Sequence, residues 1–115
     1  MSYDFMMMKP KGAIPSIEAL SEDTVVAQEP EPIVQALSSL LPATSWQRES
    51  DGGWFGRYDG DDTWYEFRIN GAPDLVWSIN TSHRTHTRSL IQPICNALGV
   101  VAFDGQAMVL VKPEG

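Results

Sequence analysis

The spacing of apolar residues changes period several times along the chain, and each change predicts an element. Residues 3–8 are apolar at nearly every position, with Pro10 and Gly12 close behind. That run predicts a short strand covered on both faces and central in a sheet. Over residues 11–29 the periodicity weakens. Ile14, Ile17 and Leu20 offer about one helical turn before the acidic run Ser21-Glu22-Asp23-Thr24, which reads as an irregular surface segment. Order returns with Ile33, Val34, Leu37, Leu40 and Leu41, whose spacing makes one helical stripe. Pro32 suits the first helical position and Pro42 ends the run.

Four aromatic or β-branched stretches follow, at residues 46–50, 54–58, 63–69 and 75–80. Tyr65, Phe67 and Ile69 alternate with Trp64, Glu66 and Arg68, and Leu75, Trp77 and Ile79 alternate with Val76, Ser78 and Asn80. Such alternation predicts antiparallel strands with one apolar and one largely wet face. Asp51-Gly52-Gly53, Asp59-Gly60-Asp61-Asp62 and Asn70-Gly71-Ala72-Pro73 supply the turns between them.

A second helix is carried by Leu90, Ile91, Ile94, Cys95 and Leu98, with Gly99 as a left-handed stop. Pro93 leaves two starts open: Ser89 caps a helix that begins late, or a longer helix, the preferred form, begins near Thr85 and kinks at the proline. Residues 100–103, Asp104-Gly105 and residues 107–111 close the chain as a tight hairpin. The expected fold is α+β: a single two-layer domain spanning residues 1–115, with a mostly antiparallel sheet of five to seven strands and two main helices on one face.

Composition narrows the functional classes. A length of 115 residues, 43% hydrophobic with four Trp, suits one folded domain with its own core. The net charge of −7 opposes nucleic-acid binding, which needs a basic face to neutralise phosphates. Cys95 is the only cysteine, so neither an intrachain disulfide nor a cysteine-based zinc site is expected. The opening residues have an acid where a signal peptide needs basic residues, and no stretch approaches the roughly 20 apolar residues of a membrane span. A cytoplasmic protein without membrane attachment is the expectation.

Candidate chemistry gathers in residues 80–88, which hold both histidines and two of the eight basic residues. At a strand-to-helix junction, Arg84 and Arg88 would clamp a carboxylate or phosphate, with His83 or His86 as acid or base near neutral pH. Two histidines alone leave a zinc site short of ligands, and no metal or other cofactor is expected. Cys95 lies on its helix's apolar stripe and reads as a core thiol, and no Gly-x-Ser-x-Gly motif is present. Asp59, Asp61 and Asp62 read as an acidic hairpin tip next to Trp64, a candidate partner-binding surface. Trp54, Trp64 and Trp77 on neighbouring strands suggest an aromatic platform, or else core and half-covered sheet face.

Met1-Ser2-Tyr3-Asp4-Phe5-Met6 with Lys9-Pro10, together with Ala97-Leu98-Gly99-Val100-Val101-Ala102-Phe103-Asp104-Gly105-Gln106, resemble the two ends of a group of small bacterial cytosolic proteins. Those proteins open with a Met-Ser-Tyr-Asp strand and finish with a Leu-Gly-x-x-x-Phe-Asp-x-Gln hairpin. The resemblance covers about 20 residues, implies a bacterial α+β domain of which some members look like antitoxin or immunity partners, and transfers no catalytic residue. The functional expectation is a non-catalytic protein-interaction module, with a protein partner or with self-association through an edge strand at residues 107–111. The alternative is a small enzyme or binding domain for an anionic metabolite at residues 83–88.

Overall fold

The computed structural model describes residues 3–60, 63–82 and 90–114. In chain order the elements are β1 (Tyr3–Pro10), a 3-10 turn (Ile17–Ala19), β2 (Val25–Val26), α1 (Pro30–Leu40), β3 (Ser45–Arg48), β4 (Trp54–Asp59), β5 (Trp64–Ile69), β6 (Val76–Thr81), α2 (Gln92–Leu98), β7 (Val101–Asp104) and β8 (Val109–Val111). The sheet has eight strands in the order β3-β4-β5-β6-β1-β7-β8, with β2 paired to the end of β1. Every pairing is antiparallel. β6 and β7 flank β1 and both oppose it, so they run parallel to each other. A parallel pair cannot be joined by a tight turn, and the connection that carries α2 makes the crossover.

Strand parity divides the molecule. Phe5, Met7, Tyr65, Phe67, Ile69, Trp77, Ile79 and Ala102 form one core with Ile33 and Leu37 of α1 and Ile94 and Cys95 of α2. Both helices therefore cover the same face of the sheet, which makes the chain a two-layer α+β domain. On the opposite face a second cluster joins Met8, Val25 and Val101, with Leu20, Leu75, Val76, Phe103 and Leu110 packed against it. The segment between β1 and α1, which the sequence offers as irregular surface, thus lays Leu20 and Val25 over the outer face near the end of β1.

Several expectations are modified. The eighth strand is β2, a two-residue element too short to carry any alternation; it forms because Lys9 and Pro10 pair with Val26 and Val25. β1 is central, yet its outer face is only partly covered: Met8 is buried, whereas Met6 remains 43% exposed. Pro30, not Pro32, takes the first position of α1, after Glu29 in extended conformation. In α2 (Gln92–Leu98), Pro93 is the second residue, within the first turn, and Leu90 and Ile91 just before it are in π-helical conformation. The preferred longer helix from Thr85, and Ser89 as a cap, fall outside the described residues.

Gly99 ends α2 at φ 66° with its N–H on Cys95 O, the expected left-handed stop. The last hairpin is looser than its Asp-Gly pair suggests. Asp104 is the final residue of β7, buried, and its Oδ1 accepts from the N–H groups of Gln106 and Ala107; the left-handed residue is Met108, at φ 54°. Among the described residues no helix is long and apolar enough to cross a membrane.

Candidate functional site

The β4–β5 hairpin presents a hydrogen-bonded polar cluster on the side of the sheet away from the helices. Asp59 pairs with Trp64 at its tip, and the Gly60 N–H donates to Thr63 O at 2.8 Å. Ser82 at the end of β6 ties the tip down. Its Oγ accepts from Trp64 N at 3.2 Å and shares a 2.9 Å hydrogen bond with Thr63 Oγ1.

Arg57 organises this surface. It stands opposite Glu66 in the β4–β5 ladder, and its Nη1 reaches Glu66 Oε2 at 2.5 Å. The same guanidinium engages Asp59 Oδ1 through Nη2 at 3.0 Å and Asp59 Oδ2 through Nε at 3.1 Å, and its carbon lies 5.4 Å from the centre of the Trp64 ring. One cation thus serves two carboxylates and an aromatic face. The hydrogen bonds that Arg57 donates to Asp59, with further support from Glu66, raise the Arg57 pKa above its ordinary value, so the side chain stays charged at every physiological pH. One ladder position further along the same face, Arg68 covers the ring of its cross-strand partner Phe55 at 5.0 Å. Phe55 and Trp64 belong to neither apolar cluster.

Of the sequence-derived partner surface, Asp59 and Trp64 are neighbours on this face, while Asp61 and Asp62 lie outside the described residues. Asp59 is not an isolated acid, because Arg57 holds it. Its partner stands two positions earlier on the same strand, a spacing that alternation makes legible. The second candidate, His83, Arg84, His86 and Arg88, lies entirely outside the described residues, between Ser82 and Leu90.

The three-tryptophan platform does not form. Trp77 is buried at 3% exposure beneath the helices, and Trp54 lies on that same side, edge-on to Trp46 at 6.4 Å. Only Trp64 points outward, because it opposes Asp59, whereas Trp54 opposes Ile69 in the same ladder. Parity along paired strands separates residues that look equivalent by composition. Cys95 is a core thiol as expected: it is fully buried, its Sγ lies 3.9 Å from Val111 O, and burial pushes its pKa up to about 12.

Sequence reasoning passed over Gln28. It lies in the weakly patterned segment, yet it is buried at 8% exposure and fully engaged. Its Oε1 accepts from Trp77 Nε1 at 3.0 Å, its Nε2 donates to Met7 O at 3.2 Å, and its backbone pairs with Asp74 in both directions. Beside it an open groove of about 200 Å³ is lined by Lys9, Glu29, Pro32, Ile33 and Leu98. No periodicity marks one buried amide flanked by exposed residues, so nothing in the sequence signalled it. Compared with known proteins, the chain matches no family model, no curated protein and no solved structure.

Proposed function

We propose that this chain is a non-catalytic protein-interaction module of a bacterial cytosolic protein, of the antitoxin or immunity kind. Its docking surface is the tip of the β4–β5 hairpin and the outer face behind it, and its partner is a basic protein. The observation that carries this reading is the Arg57 cluster. A half-buried Trp64 stands outside both cores, with a guanidinium on its ring and the Asp59 and Glu66 carboxylates fixed around it. Aromatic residues held in place by polar neighbours lose little side-chain entropy on binding, which is why such residues dominate interface energetics. Asp59 with Asp61 and Asp62, in a chain of net charge −7, supplies the long-range attraction for a basic partner.

The test is capture of a stoichiometric partner from a bacterial lysate, followed by affinity measurement on the purified pair. Trp64→Ala and the triple reversal of Asp59, Asp61 and Asp62 to Lys are each expected to weaken binding at least tenfold, or about 1.4 kcal/mol. The reversal acts mainly through a slower association rate that loses its salt dependence. Unchanged affinity in both variants sinks the proposal.

A further inference from the structure

The chain contains four Asp-Gly or Asn-Gly pairs, at Asp51, Asp59, Asn70 and Asp104. Such pairs are chemically reactive because glycine has no side chain to shield its nitrogen, which can close on the preceding carboxyl or amide carbon. Three of the four are structurally occupied. Gly52 N–H donates to Glu49 O at 3.0 Å and Gly60 N–H to Thr63 O at 2.8 Å, while the Asp104 side chain is buried and bonded to the loop that follows it. Asn70-Gly71 differs: Asn70 is exposed, and the Gly71 N–H makes no turn hydrogen bond among the described residues.

We infer that Asn70-Gly71 is a site of spontaneous deamidation and that Asp74 restrains it. In the reaction, Gly71 N bonds to Asn70 Cγ, the Cγ–Nδ2 bond breaks, and the nitrogen leaves as ammonia carrying the Gly71 amide proton. Water then opens the cyclic imide at either carbonyl, giving aspartate or isoaspartate at position 70. The restraint is geometric. Asn70 Nδ2 donates to Asp74 Oδ2, so the departing nitrogen is held by a carboxylate that is itself anchored. Asp74 Oδ1 accepts from Leu75 N at 2.7 Å, and the Asp74 backbone is bonded both ways to Gln28.

The product does not fit where the reactant did. A carboxylate at position 70 would face Asp74 with no hydrogen to donate, two like charges in contact distance. Isoaspartate also adds a methylene to the backbone next to Gly71, where a Cβ would already lie 2.6 Å from Gly52 C and Gly53 N. Deamidation therefore pushes the β5–β6 turn away from the β3–β4 turn.

The experiment is peptide mapping by mass spectrometry of the purified protein and of Asp74→Ala, incubated together at mildly alkaline pH. Acid is expected at position 70 well before it appears at Asn80 or Asn96, and Asp74→Ala is expected to accelerate it several-fold. Near-UV circular dichroism and unchanged rates at Asn80 and Asn96 exclude general unfolding as the cause. Where Asp74→Ala loses its near-UV spectrum, Asp74→Asn takes its place, keeping an acceptor for Leu75 N while removing the carboxylate. Conversion at position 70 no faster than at the other asparagines overturns the site, and equal rates with and without the Asp74 carboxylate overturn the restraint.

Discussion

The indole Nε1 of Trp77 donates to the side-chain oxygen of Gln28 at 3.0 Å, joining two residues 49 positions apart in the chain. The bond fastens the segment before α1 to the start of β6. Because Gln28 also donates to Met7 O in the neighbouring strand β1, a single amide satisfies two buried groups on adjacent strands. Buried polar groups are expensive only when left without partners.

Replacing Gln28 with Met keeps most of the volume and strands both groups. The expected loss is about 2–4 kcal/mol in urea unfolding, with the slope of the transition unchanged. In a Trp77→Phe background the same replacement costs less, since one of the stranded groups is then gone. Strict additivity of the two changes would show that the bond carries no coupling energy.

Gly56 makes room for Trp46. A Cβ at position 56 would lie 2.6 Å from Trp46 Cζ3, and the indole at that place stacks on Phe67 with centroids 5.9 Å apart. Gly56→Ala is expected to cost about 1–3 kcal/mol by displacing the ring. The cost shrinks when Trp46→Ala removes the obstacle, and tryptophan fluorescence reports the displacement directly.

Cys95 sets an alkaline limit. Burial raises its pKa in the folded chain from 9.0 to about 12, so below pH 9 the thiol is neutral in both states and its contribution is fully present. As pH rises from 9 towards 12 the unfolded chain loses the proton first, and stability falls by at most about 1.4 kcal/mol per pH unit. Cys95→Ala is expected to flatten this decline in unfolding curves taken across that range. A wild-type thiol that reacts with an alkylating reagent at neutral pH without prior unfolding contradicts the assignment.

Much of the fold was legible because its signals are local. The stripe Ile33, Leu37 needs only helical geometry, the alternation of Phe67 and Ile69 with Arg68 needs only the pleat, and Gly99 is placed by the left-handed end of a helix. What escaped detection is non-local. β2 exists because β1 offers it an edge, and Gln28 is buried because Trp77 and Met7 converge on it. The candidate surface was half legible: Asp59 and Trp64 could be placed on one hairpin tip, with Arg57 on the same face two positions before Asp59, but Glu66 as the second carboxylate on that cation became evident only from the ladder.

By itself, then, the sequence determined the class of fold, the two helices, the meander of antiparallel strands and the core role of Cys95. Each follows from periodicity or composition within a few residues of chain. The tertiary structure alone decided that β1 lies between β6 and β7, that Trp54 packs inward against Trp46, and that Arg57 meets Glu66 across the β4–β5 ladder. These depend on which strands pair and in what register. Register is a property of two segments together, and shifting it by one residue moves every side chain to the other face.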